Sequence, residues 1–292
     1  MAEIREFTGV PADEEEAPKA APPGPEVDPT ETRLQKLELE IRRLWIRNTD
    51  FRNKIFAIQQ AVVEGAGLTE CALGHAAADV FPVEVQRDPG APVRIFAFGS
   101  MGANSGMAPK QFFNAFKKHR CEIFFFKDFR QCWYQQGLLG LSKDIASTAA
   151  YLRTLTAGDD RPVSMLGASS GGFAALLFGA MLGAHKVVAF SPQTLITNRV
   201  FHRFKTEDSQ IGEVAFNSRY ADVKTVLEDH PLRGRADIFF SRRAPFDASE
   251  ANRLEGLPGV NLQPLEWNGH NTAALLRNQG RLDGIIQDLV TP

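Results

Sequence analysis

The sequence is poor in cysteine, with Cys71, Cys121 and Cys132 only. Three is an odd number, and the spacings match no zinc-binding pattern. A disulfide framework and a structural metal centre are therefore not expected, and Cys121, inside an apolar run, reads as buried and reduced. No run of 18 or more apolar residues occurs, which leaves no candidate membrane span. No apolar N-terminal segment reads as a signal peptide, so the expected location is the cytoplasm. The chain also lacks a clustered basic face. Its 33 Lys and Arg stand against 35 Asp and Glu, for a net charge of −2. Nucleic-acid binding, which needs such a face, is not expected. No metal, nucleotide or flavin motif is present, and no cofactor is expected.

The charge that is present is unevenly placed. Residues 1–31 hold nine acids and two bases, leaving the remainder at about +5. Six of the 17 prolines fall within 1–30, beside an acidic run at 13–16. A segment of this composition buries too little apolar surface to offset its ordering entropy, so 1–30 reads as a disordered tail. Residues 31–65 read as a helix. Apolar residues recur at Leu34, Leu37, Ile41, Leu44, Phe51, Ile55, Ile58 and Val62, in steps of three and four. Held for about four heptads, this pattern predicts a coiled coil and a homodimer or oligomer through 31–64. Asn48 takes a core position, where a polar residue fixes register. Thr30 and Thr32 are the available caps, and Gly65 marks the stop. Trp45 and Ile46 widen the stripe, which keeps open a helix packed on its own chain.

Residues 66–292 alternate short apolar strands with helical patterns. Strands are expected at 93–98, 122–126, 163–166, 186–190, 237–240 and 261–265. Helices are expected at 142–155, 172–182, 249–254 and 273–289. This alternation predicts an α/β domain with a mostly parallel sheet and helices on both faces. The longer, more polar stretch 193–235 breaks the rhythm and reads as a cap insertion.

One segment carries the chemistry: Pro162-Val163-Ser164-Met165-Leu166-Gly167-Ala168-Ser169-Ser170-Gly171-Gly172. Gly167-x-Ser169-x-Gly171 matches a nucleophile elbow, with a strand running in and a small-residue helix running out. The turn is tight, so the glycines remove side chains that would collide. Ser170 has the wrong spacing from both glycines to be the nucleophile. Its amide, at a helix N-terminus, is instead a candidate oxyanion donor. A second donor is expected from the loop after the 93–98 strand, at Ser100 or Met101. A serine nucleophile needs a base, and the base an orienting acid, in the chain order Ser, acid, His. Of six histidines, only His270 lies late in the chain in a Gly- and Asn-flanked loop between a strand and a helix. Asp247, in the expected loop after the 237–240 strand, is the candidate acid. Its competitors are Asp237 and Glu250, and capping of the next helix is its alternative role.

With these residues in place, positions from about 90 to 292 resemble the α/β-hydrolase superfamily. The segments Cys132-Trp133-Tyr134-Gln135-Gln136-Gly137, Ala189-Phe190-Ser191-Pro192-Gln193-Thr194 and Gly269-His270-Asn271 are also similar to bacterial hydrolase-like proteins associated with surface-polysaccharide gene sets. The resemblance implies an α/β-hydrolase fold and a serine hydrolase cleaving an ester, with a small-molecule or glycan ester as substrate. An acyltransferase or deacylase acting on a cell-surface glycan would use the same residues. A peptidase or thioesterase is also compatible. A non-catalytic coiled-coil interaction protein on a hydrolase fold is the reading from another class. Trp133, Tyr134 and Trp267 are substrate-pocket candidates, with core packing as their alternative.

Overall fold

A computed structural model describes residues 70–72, 81–101, 114–204 and 218–292. The expected tail and coiled coil lie outside the described residues, as do residues 102–106 of the glycine-rich loop. All the described residues fall in one compact unit, Asn48–Pro292.

Among the described residues eight strands form one sheet: β1 (Cys71–Ala72), β2 (Val83–Gln86), β3 (Arg94–Phe98), β4 (Glu122–Phe126), β5 (Val163–Ala168), β6 (Lys186–Phe190), β7 (Arg235–Ser241) and β8 (Val260–Leu265). Their order is β1-β2-β4-β3-β5-β6-β7-β8. From β4 to β8 every neighbour is parallel, and β2 runs antiparallel to β4. The six expected strands are all present. β1 and β2 were not expected, and for β2 the reason is a pairing distant in sequence. Glu84 interrupts the apolar pattern of β2, yet it is buried because Lys127 Nζ lies 2.5 Å from its Oε1.

The near-continuous apolar strands split by parity between two faces, as a period of two requires. Phe96, Phe98, Phe124, Phe126, Met165 and Val187 join one core. Ile95, Ala97, Ile123, Phe125, Leu166 and Val188 join the other. Over the first core lie α1 (Ile145–Thr156), α2 (Ser170–Leu182) and, further on, α4 (Val223–Asp229). Over the second lie α6 (Thr272–Asn278) and α7 (Leu282–Leu289). These two were expected as one helix over 273–289. The chain instead breaks at Gly280, whose φ of +70° is left-handed and ends the first helix.

Two more helices frame the site: α3 (Asn198–Phe204) and α5 (Pro245–Asn252). The stretch expected as a cap thus contains both α3 and α4, and α4 packs against α2 as part of the helix layer. Residues 205–217 of that stretch lie outside the described residues. Among the described residues no helix is long and apolar enough to cross a membrane.

α2 is buried along most of its length, from Ser170 to Ala180. An all-round apolar helix belongs in an interior. Small residues let it settle onto the sheet. At Gly179 an added Cβ would lie 2.6 Å from Val187 Cγ2.

Cys121 and Cys132 are both buried free thiols. Burial, helped by Asp88, pushes the Cys121 thiol up to about 12. Burial, with the Asp128 carboxylate beside it, raises Cys132 well above the ordinary thiol range. The thiolate is the reactive form. Neither residue is therefore expected to react with iodoacetamide at pH 8 in the folded protein, and both should react after denaturation. Peptide mapping checks this; labelling of either in the native state at the unfolded rate would contradict the burial described.

Candidate active site

β5 delivers the chain to Ser169, and α2 leaves from Ser170. At Ser169 φ is +54° and ψ −120°, a conformation a non-glycine residue adopts only under constraint. Two hydrogen bonds impose it: Ser169 N–H to Phe190 O at 2.8 Å, and Phe173 N–H to Ser169 O at 3.0 Å. The flanking glycines are required by contact. A Cβ at Gly167 would lie 2.1 Å from Gly171 O, and one at Gly171 would lie 2.2 Å from Phe98 O.

His270 comes from the loop between β8 and α6. Asn271 caps α6 by accepting from Ala274 N–H at 3.1 Å. Ser241 Oγ donates to Gly269 O. The Trp267 ring lies so close beneath Gly269 that a Cβ there would sit 2.4 Å from it. These contacts aim the imidazole. His270 Nε2 lies 3.0 Å from Ser169 Oγ, and Nδ1 lies 2.9 and 3.1 Å from the Asp247 oxygens. A carboxylate only accepts, so it selects the tautomer with the proton on Nδ1 and leaves Nε2 free for the serine proton.

Asp247 is buried, in the first turn of α5. It was expected in the loop before that helix; Pro245, suited to a first helical position, starts the helix earlier. The competitors have other partners. Asp237 Oδ2 accepts from Arg235 Nε at 3.0 Å. Glu250, one turn beyond Asp247, accepts from Thr194 N–H at 2.6 Å, Thr194 Oγ1 at 2.9 Å and Leu195 N–H at 3.1 Å. It clamps the turn after β6.

That turn carries a residue the sequence reading did not single out. Gln193 is fully buried, and its Nε2 lies 2.9 Å from Ser169 Oγ. It sat inside the segment 189–194, but nothing local marks a buried glutamine as a neighbour of the nucleophile. The contact comes from β6 lying beside β5 in the sheet.

Ser170, as the first helical residue, has an amide with no intrahelical acceptor. Met101 N–H donates to Ser170 Oγ at 2.9 Å, so the hydroxyl of Ser170 braces the expected oxyanion loop. Ser100 is buried beside it. Ser100, Met101, Ala168, Ser169, Phe190, His270, Asn271 and Thr272 line a cavity of about 190 Å³. Larger grooves, of about 550 Å³, lie elsewhere and do not include Ser169.

Trp133 and Tyr134 are corrected from pocket candidates to core. Both are fully buried, so neither ring has a face open to a substrate. Trp133 Nε1 donates to Gln193 Oε1 at 3.1 Å, and Tyr134 Oη donates to Gly99 O at 2.9 Å. Gln131, Trp133 and Tyr134 all have positive φ. Asp128 holds this turn by accepting from Cys132 N–H at 2.8 Å and Tyr134 N–H at 3.0 Å. Burial raises the Asp128 carboxyl above its ordinary value. Trp267 is half-buried against Gly269, and Phe204 of α3 is the aromatic whose centroid lies 5.3 Å from that of His270.

No protein-family profile matches the chain. No curated protein sequence matches it either. Solved structures do. A capsule O-acetyltransferase of Neisseria meningitidis serogroup A has a TM-score of 0.53 at 16% identity, over 70% of this chain and 91% of that one. A histidine-to-alanine mutant of that protein in complex with CoA gives 0.51 at 12% identity, over 72% and 92%. Fluorophosphonate-binding serine hydrolase F of Staphylococcus aureus gives 0.48 at 9% identity, over 71% and 86%. The fold is that of the α/β-hydrolases. On this α/β-hydrolase fold, Ser169 follows β5, Asp247 follows β7 and His270 follows β8, in the chain order expected.

Removing the Glu250 carboxylate would strand two backbone donors, Thr194 N–H and Leu195 N–H, while Thr194 Oγ1 keeps the Glu250 carbonyl oxygen at 2.8 Å. Glu250→Ala is expected to destabilise the protein by about 2–4 kcal/mol, and Glu250→Gln by less, since its oxygen still accepts. Chemical denaturation of both variants measures this; an unchanged midpoint for the alanine variant would refute the clamp.

Proposed function

We propose that the protein is a serine esterase that cleaves a short acyl ester through a covalent acyl-enzyme. The observation that carries the reading is the unbroken relay Ser169 Oγ, His270 Nε2, His270 Nδ1, Asp247, with steps of 3.0 and 2.9 Å. A nucleophile within hydrogen-bond reach of a base, itself oriented by a buried acid, is the arrangement acyl transfer needs.

In this reading His270 Nε2 takes the hydroxyl proton as Ser169 Oγ attacks the ester carbonyl. The Ser170 amide, at the positive end of α2, receives the oxyanion, and Met101 N–H can join it only by leaving Ser170 Oγ, to which it donates at 2.9 Å. His270 then protonates the leaving alcohol, and water releases the acyl group by the reverse sequence. Asp247 holds the tautomer throughout. The small cavity at Ser169, partly walled by Phe190, supports a short acyl group.

A second reading is transfer of that acyl group to a sugar hydroxyl instead of water. The fold likeness to the capsule O-acetyltransferase favours it, and it uses the same residues. A tie to surface-polysaccharide chemistry belongs to this reading.

A fluorescent fluorophosphonate should label the wild-type protein and neither Ser169→Ala nor His270→Ala. Equal labelling of the Ser169→Ala protein would end the assignment. Asp247→Asn should lower kcat on an aryl acetate by roughly 10⁴-fold, since the amide favours the wrong tautomer. Adding an oligosaccharide acceptor and analysing products separates transfer from hydrolysis.

A further inference from the structure

Gln193 is fully buried between two side chains, Trp133 and Ser169. Its orientation is determined. An indole N–H is a donor only, so the Gln193 oxygen must face Trp133 Nε1, 3.1 Å away. The amide NH₂ is thereby turned to Ser169 Oγ, at 2.9 Å. Gln193 Oε1 also lies 3.3 Å from Ser169 Oγ, but the serine proton has a shorter path to His270 Nε2 at 3.0 Å. Ser169 Oγ thus accepts one hydrogen bond from Gln193 and donates another to His270. Gln193 is also held from behind, because Glu250 clamps Thr194 and Leu195 directly after it.

We propose that Gln193 is a catalytic residue of acyl release, donating from its side-chain amide to Ser169 Oγ as that oxygen becomes the leaving group. The proposal rests on the reading of Ser169 as nucleophile. A hydroxyl oxygen accepts hydrogen bonds well. An ester oxygen accepts poorly, because its lone pair is drawn toward the carbonyl. Acylation of Ser169 therefore weakens the bond from Gln193, and release of the acyl group strengthens it again. An interaction stronger in a transition state than in its ground state accelerates that step, and the converse interaction does not. Gln193 favours breakdown of the acyl-enzyme and gives acylation no help.

The step itself balances without Gln193 changing any covalent bond. Water loses a proton to His270 Nε2 as its oxygen bonds to the acyl carbon. The bond from that carbon to Ser169 Oγ then breaks, and its electron pair goes to Oγ. Developing charge there is met by the Gln193 amide, and His270 returns the proton to Oγ as the acid departs. A sugar hydroxyl in place of water leaves the argument unchanged.

Two variants test it: Gln193→Met, which keeps volume and removes the donor, and the same change combined with Trp133→Phe, which leaves no stranded indole N–H. Acylation is followed in single turnovers with enzyme in excess over p-nitrophenyl acetate. Deacylation is followed as loss of the acyl-enzyme by intact mass. Both variants should acylate within about threefold of wild type and deacylate roughly 10–100-fold more slowly, the effect of a hydrogen bond to a charged group. Equal losses in both rates, or an unchanged deacylation rate, would overturn the role of Gln193 alone. A wild-type protein that does not become acylated at Ser169 would overturn this role and the esterase reading together.

Discussion

Three stretches of main chain meet at closer than ordinary side-chain distance where β5 turns into α2. The space that Cβ atoms at Gly167 and Gly171 would need is already filled by Gly171 O and Phe98 O. This approach places α2 directly on the sheet and throws Ser169 out of line, at φ +54°. Such a conformation costs on the order of 1–3 kcal/mol and persists only where its surroundings over-determine it. Here β3, β6 and the first turn of α2 all hold it, through Gly171 against Phe98, Ser169 N–H on Phe190 O, and Phe173 N–H on Ser169 O. The loops bearing His270, Gln193 and Met101 can converge on the serine because the sheet brings the C-terminal ends of neighbouring strands to one edge.

Much of this was legible in the sequence because it is local. The interior parallel strands are continuous apolar runs, and Gly-x-Ser-x-Gly between a strand and a helix states its own geometry. His270 followed from chain order and a loop setting. What escaped has physical reasons. β2 hides its burial behind Glu84, whose charge is matched across the sheet by Lys127. Asp247 was placed in a loop because the helix start at Pro245 is set by the chain leaving β7. Trp133 and Tyr134 stood out as aromatics beside polar residues. Their burial depends on Asp128, five and six residues away in sequence, holding a turn with positive φ. Gln193 reaches Ser169 across strands, and no spacing along the chain encodes that.

The division of labour within α5 follows the same logic. Asp247 and Glu250 stand three residues apart, so they share a helix face. One carboxylate meets the imidazole; the other meets the backbone of the turn carrying Gln193. Sequence order alone offered both as acids for His270, and their hydrogen-bond partners separate the roles. The indole of Trp133 plays a comparable part for Gln193, since a group that can only donate fixes which end of the amide faces the serine.

Ser169 is therefore gripped from two sides by a single short helix. The path through Asp247 and His270 arrives at the hydroxyl proton, and the path through Glu250 and Gln193 at a lone pair of the same oxygen. Side chains joined through shared partners do not contribute independently. Substitutions on the two paths are consequently epistatic: the effect of altering one depends on whether α5 still anchors the other. A helix grafted in place of α5 would have to bring both carboxylates with it.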